Sequence, residues 1–382
     1  MQRFAPYVRA ATVLLFAALM VILANNAPVP QAGAPAASPT ASSTVSVVSS
    51  ESAATAPAVS ESQTSLEKSA PQTSAKAAKP TPPVAAPVVQ AALPAISVPL
   101  TLPSSGNSGL DDAAAALRAA LVNIVCYVPA SSNLHSISGS GVFVDSKGII
   151  LTNAHVAQFF LLADKGVECV IRTGSPAVKK YTAELIYISP VWVRENADIL
   201  SESQPIGTGE NDFAFLAISG SATNETLPES FSSVSLSTLP PASGTPVVIA
   251  SYGAQFLASS QIRSQLYPTI VFGSVKDVFT FAVNTIDFLA LGGSAAAQEG
   301  SSGGGVVDAS GKLVGTITTS TVEGATDTRS LGAITTSFVR AEYASEMGSA
   351  LDLLLAEPTS SSISEFAPKI PVLESILAAN LP

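Results

Sequence analysis

Two cysteines and two histidines are all that the 382-residue chain contains. Two thiols cannot build a disulfide framework or a four-thiolate zinc site, and His135 and His155 show no metal-ligand spacing with them. No structural metal is therefore expected. Charge is also scarce: 12% of residues are Asp, Glu, Lys or Arg, about half the share in an average soluble domain. Part of the chain is not ordinary globular protein. The 18 basic and 28 acidic residues leave a net charge of −10, which repels polyanions and argues against a nucleic-acid partner. Aromatics make up 6%, and none occurs between Pro28 and Ser105. That stretch is roughly two-thirds Ala, Pro, Ser and Thr, too little apolar surface to offset the entropy of ordering. Residues 28–105 read as a disordered, proline-extended linker.

Ahead of the linker, Arg3 and Arg9 precede an apolar run from Ala10 to Ala24, the layout of a basic n-region and an h-region. Residues 1–27 read as a signal peptide or an N-terminal membrane anchor. The run is shorter than a comfortable bilayer span of about 20 residues, whereas Asn25, Asn26 and Pro28 make a poor cleavage site. Either outcome places the rest of the chain outside the cytoplasm, and residues 10–24 are the candidate tether.

Composition changes near Gly109. LDDAAAALRAAL, from Leu110, has acidic residues in its first turn followed by strong helix formers. Short strand-like runs punctuated by Gly, Asn, Ser and Pro follow, from NIVCYV at Asn123 to SLGAIT at Ser330. Their spacing predicts an all-β domain over 106–356, built from antiparallel barrels or sandwiches. AEYASEMGSALDLLLA, from Ala341, reads as one closing helix, and 357–382 as a C-terminal tail too short for another domain.

The sharpest chemical signal is Gly300-Ser301-Ser302-Gly303-Gly304. Glycines around a serine nucleophile permit a tight turn that aims backbone N–H groups at one point, and they keep side chains off the attacked carbonyl. The string alone also fits an α/β-hydrolase elbow or a plain loop. Chain order separates these readings: both histidines precede Ser302, whereas α/β-hydrolases run Ser, Asp, His. His155 ends the strand GIILTNA, while His135 sits in a polar loop and reads as a surface residue. Asp212 opens the apolar strand FAFLAI, where one acid can be buried beside an imidazole. Asp164, Asp277 and Asp287 have weaker settings, and Asp198 is the runner-up acid.

Taken together, GSGVFVDSKGIILTNAHV from Gly139, NDFAFLAI from Asn211, SAAAQEGSSGGGVVDASGKLVGTIT from Ser294 and LGAIT from Leu331 resemble the trypsin-like serine proteases, most closely the HtrA (Deg) branch. The resemblance spans about residues 120–345. It implies two six-stranded antiparallel β-barrels with a catalytic triad of His155, Asp212 and Ser302 between them. It further implies an oxyanion hole from the backbone N–H groups of Gly300 and Ser302, no cofactor, and protein or peptide substrates, including unfolded ones. The chain departs from the family pattern at Ser294, Gln298, Glu299, Ser301 and Gly305, which leaves the shape of the oxyanion loop open. It has no room for the family's PDZ domain, and no residues that specify an oligomer are recognisable.

By position in the family pattern, Ala295, Ala296, Thr316 and Thr318 are expected to wall the substrate pocket, favouring cleavage after small or medium aliphatic residues. In a barrel of this type the first strand closes against the fourth, which makes Cys126 and Cys169 candidates for a disulfide in an oxidising exterior. The expected function is an exported serine endopeptidase acting in extracytoplasmic protein quality control or processing. The competing class is a catalytically silent binding module of the same fold displayed on a stalk.

Overall fold

The computed structural model describes residues 108–132, 134–201, 208–281, 283–320 and 324–381. The expected leader and linker lie outside them. Among the described residues no helix is long and apolar enough to cross a membrane.

The described chain opens with a helix, Ser108–Ala120, whose Asp111 and Arg118 sit at the ends that complement its dipole. Six strands follow: β1 Leu121–Tyr127, β2 Ile137–Asp145, β3 Ile149–Thr152, β4 Glu168–Thr173, β5 Val178–Ile188 and β6 Ala214–Ser221. They close into a barrel in the order β1-β2-β3-β6-β5-β4. β1 is buried at Leu121 through Cys126 on both faces, and β3 along all of Ile149–Thr152. One face of each fills the barrel, and the other is covered by the elements packed around it. β1 and β4 are antiparallel, with Cys126 directly opposite Cys169, and the two are joined in a disulfide.

That bond closes the barrel where its first and fourth strands meet, across a sequence separation of 43. Removing a cross-link over a loop of this size typically lowers stability by about 2–4 kcal/mol. The double variant Cys126→Ala/Cys169→Ala is expected to unfold at correspondingly lower urea concentration. A midpoint unchanged from the wild type would show that the strand ladder alone holds the seam.

A second group of seven strands comprises β7 Pro246–Ser251, β8 Thr269–Ser274, β9 Asp277–Phe279, β10 Phe288–Ala290, β11 Gly305–Asp308, β12 Leu313–Ser320 and β13 Leu331–Thr335. Their order is β8-β7-β11-β12-β13-β10-β9. The fold is all-β with one closed six-stranded barrel, but this second sheet curls without closing among the described residues, with β8 and β9 at its edges. Its core contains Val247, Ile249, Leu289, Val306, Val314 and Ile317.

The C-terminal region is more helical than a single closing helix. Thr336–Met347 is capped by Gly348 in the left-handed conformation, and a separate helix runs Leu351–Ala356. Gly348 stops the first helix because its φ of 68° is open to glycine and strained for most other residues. The stretch expected as a tail forms helices Thr359–Phe366 and Ile370–Ala378. Phe366, Leu373 and Leu377 are buried in the same apolar cluster as the first barrel. Lys165 pairs with Glu374 at 3.1 Å, tying the last helix to the segment that follows β3.

Candidate active site

β3 ends at Thr152, and the chain turns at Asn153 into a short helix, Ala154–Ala157, that carries His155 in its first turn. Asn153 anchors this turn twice. Its carbonyl accepts from the N–H of Ala157 at 2.9 Å, and its side-chain amide donates to the carbonyl of Asp212 at 2.8 Å. Asp212 precedes β6, which pairs directly with β3: Thr152 lies opposite Ala214. Sheet pairing therefore carries the acid to the base. Asn211 enters this corner at φ 58°, a left-handed conformation that asparagine tolerates better than most side chains.

Asp212 is buried and accepts three hydrogen bonds. Oδ1 takes the backbone N–H of His155 at 2.9 Å. Oδ2 takes the hydroxyl of Thr318 at 2.6 Å and lies 2.7 Å from Nδ1 of His155. With the carboxylate ionised, Nδ1 is the protonated nitrogen and Nε2 is left as the basic one. Burial by itself pulls the imidazole pKa down. The negative charge and hydrogen bond of Asp212 outweigh it, and the pKa stands above its ordinary value.

Ser302 is half-buried on the loop that leads into β11. Gly303 follows it at φ 84°, and a Cβ there would collide with the carbonyl oxygen of Ser140 and the hydroxyl of Thr152. Thr152 is three residues before His155, so the Ser302–Gly303 backbone rests against the end of β3 that presents the base. Gly303→Ala combines backbone strain with two collisions against fixed polar atoms. It is expected to destabilise the fold by about 1–3 kcal/mol from the strain alone, more with the collisions, and to abolish turnover. Calorimetry and an activity assay check this; an active variant of wild-type stability would mean that the loop has room to move.

The Gly300–Gly304 loop, the candidate oxyanion loop, is shaped by what its carbonyls bind. The carbonyl of Glu299 accepts from Ala254 N–H at 2.8 Å, and that of Ser301 from Gly304 N–H at 2.9 Å. In a trans peptide the C=O and the N–H point in opposite directions. The N–H groups of Gly300 and Ser302 are thereby turned away from those partners, and neither donates to a protein acceptor among the described residues. Gly300 takes up its position at φ 87°. The unusual Glu299 and Ser301 of this loop do not disturb the arrangement: Glu299 is exposed, and Ser301 is buried with its hydroxyl accepting from that of Ser251 at 3.1 Å.

The structure thus brings His155, Asp212 and the Gly300–Gly304 loop to adjoining strand ends. His135 is exposed, as are Asp164, Asp198 and Asp277. Asp287 is buried but accepts from Thr280, Thr285 and the N–H of Phe281 in the connection between β9 and β10. Of the expected pocket residues, Thr318 donates its hydroxyl to Asp212 at 2.6 Å. Thr316, two residues earlier, is buried with its hydroxyl on the carbonyl of Gly304 at 3.3 Å. Ala295 is exposed, whereas Ala296 is fully buried in one apolar cluster with Leu331.

Arg329 went unremarked in the sequence, where one arginine in a polar loop carries no signal. It is buried, and its guanidinium donates to the carbonyls of Ala297 at 2.7 Å and Gly324 at 2.8 Å and to the side chain of Gln255 at 2.6 Å. It also lies over the ring of Phe256 at 5.6 Å. One side chain thereby braces the segment just before the oxyanion loop.

Residues 139–315 match the family model of the trypsin-like peptidase domain. Similar solved structures include the Rv3671c protease from M. tuberculosis in its active form, at 18% identity and TM-score 0.40, covering 64% of this chain and 88% of that one. The inactive form of the same protease is similar at 15% identity and TM-score 0.38, covering 63% and 96%. No curated protein matches the chain.

Proposed function

Starting from a trypsin-like peptidase domain at residues 139–315, we propose that the chain is a serine endopeptidase that works outside the cytoplasm. The observation that carries this reading is the Asp212–His155 pair, bonded through both the imidazole Nδ1 and the backbone N–H of the histidine. The glycine that follows Ser302 packs against Thr152, three residues before this histidine, and two N–H groups of its loop have no protein partner among the described residues. In the mechanism this supports, Nε2 of His155 takes the proton of Ser302 Oγ as the oxygen attacks the scissile carbonyl. The negative charge on the carbonyl oxygen is received by Gly300 and Ser302 N–H. His155 then delivers its proton to the leaving amine, and water repeats the sequence on the acyl-enzyme. Asp212 keeps the imidazole in the working tautomer and stabilises its charged form.

Ala296, six residues before Ser302 and buried in an apolar cluster, supports cleavage after small or medium aliphatic residues rather than after Lys or Arg. Export rests on the basic and apolar pattern of residues 1–24, and a role in protein quality control or processing rests on the likeness to HtrA proteases. The test is reaction of the purified protein with a fluorophosphonate probe, with mass-spectrometric location of the adduct, alongside mapping of new termini in an unfolded model protein. An adduct on Ser302 and cuts after Val, Ala or Leu are the expected results. Cuts after Lys or Arg would overturn the pocket while keeping the enzyme. A protein that neither reacts nor cleaves would be a binding module.

A further inference from the structure

Ser140 belongs to β2 of the first barrel, yet three of its four hydrogen bonds go to the second half of the domain. Its N–H donates to the carbonyl of Ser302 at 2.7 Å. Its hydroxyl accepts from the N–H of Tyr252, just past β7, at 2.8 Å. The same hydroxyl donates to the carbonyl of Gly300 at 2.8 Å. Its own carbonyl accepts the hydroxyl of Thr152 at 2.7 Å. The directions are fixed by chemistry: the Tyr252 N–H can only donate and the Gly300 carbonyl can only accept, so the one hydroxyl proton must point at Gly300. The side chain is fully buried, and its position is closely set, since a Cβ added to the glycine on either side would collide with Val156 or with Ile150.

We propose that the Ser140 hydroxyl is a positioning group for the oxyanion hole. Resting on the peptidase reading above, this assigns to a residue of the first barrel the orientation of the Gly300–Ser301 peptide in the second. That peptide is the hinge between the two donor peptides. The carbonyls of Glu299 and Ser301 are held by Ala254 and Gly304 within the second half of the domain, whereas those of Gly300 and Ser302 are held from across the barrel boundary by Ser140. Without the hydroxyl, the Gly300 carbonyl loses its partner and the peptide is free to rotate, which swings Gly300 N–H out of line with Ser302 N–H. The hole acts on charge that exists only in the transition state, so the loss falls on kcat and spares KM.

The experiment compares full-length wild type, Ser140→Ala and Ser138→Ala. Ser138 lies on the same strand and meets Asn123 at 2.9 Å, away from the loop. Ser140→Ala is expected to lower kcat by about 10- to 100-fold, less than the 100- to 1000-fold typical of deleting a donor outright. KM should stay within about twofold, and the affinity of a peptide boronic acid, which mimics the tetrahedral intermediate, should fall by the same factor as kcat/KM. Ser138→Ala is expected to keep wild-type kinetics. A folded Ser140→Ala protein with wild-type kcat overturns the proposal, as does a loss confined to KM with boronate affinity unchanged. A Ser140→Ala protein that does not fold would assign the hydroxyl to barrel packing and also overturn it. Failure of the underlying peptidase reading is distinguished by the wild type itself, which would then neither turn over substrate nor bind the boronate.

Discussion

Ser302→Ala is expected to lower kcat for peptide-bond cleavage by about 10⁶-fold with almost no change in stability. In the proposed mechanism the nucleophile, its base and the orienting acid act as a unit, so removing the attacking oxygen forfeits nearly all that the triad supplies. What remains is the rate enhancement of the oxyanion hole and substrate binding, about 10³- to 10⁴-fold over water. Stability is spared because the loop is held by backbone groups of its neighbours, Ser140 N–H on the Ser302 carbonyl and Gly303 N–H on the carbonyl of Ile317, none of which needs the Ser302 hydroxyl. Single-turnover kinetics, probe labelling and a urea melt check the three parts. Cleavage at the wild-type rate by the alanine variant would mean that another group is the nucleophile.

Asp212→Asn is expected to lower kcat by about 10⁴-fold and to move the pH profile as well. Asp212 receives only donors: His155 N–H, His155 Nδ1–H and Thr318 O–H. An asparagine offers one oxygen to these three and sets its own amide protons against at least one of them. The outcome is a tilted imidazole or one with its proton on Nε2, where it cannot accept from serine. The sign of the pH effect follows from the causes acting on His155. Burial lowers its pKa, and the Asp212 charge and hydrogen bond raise it by more. Wild-type kcat/KM should therefore rise with pH through a pKa above the ordinary histidine value. In the asparagine variant burial acts alone, so the residual activity should titrate at lower pH.

The same shift enters stability. A histidine pKa raised in the folded state contributes stability that is fully present below the unfolded value and lost as pH rises through the folded one. Urea midpoints of the wild type should decline across that window, and those of Asp212→Asn should not. Identical pH–rate profiles for the two proteins would show that Asp212 does not govern the imidazole.

Much of this site was legible because its chemistry is local in sequence. Gly300-Ser301-Ser302-Gly303-Gly304 carries its own backbone requirement, visible as left-handed φ at Gly300 and Gly303. His155 ends a strand and Asp212 begins one, and two strands that pair antiparallel must bring such ends together. Arg329 and Ser140 gave no signal, since each is defined by partners far away in the chain. The partners of the Thr318 and Thr316 hydroxyls were not legible, because a threonine near a pocket and a threonine bonded to the site look alike until the strand faces are known.

The sequence by itself determined the candidate reacting groups, the all-β class and the antiparallel path, because glycine placement, side-chain alternation and residue order act through neighbours along the chain. Only the tertiary structure decided that the second sheet curls without closing, that the last residues form helices against the first barrel, and which carbonyls hold the oxyanion loop. Those features depend on contacts between distant segments, such as Lys165 with Glu374 or Ser140 with Gly300. No local pattern encodes which distant atom lies within hydrogen-bonding reach.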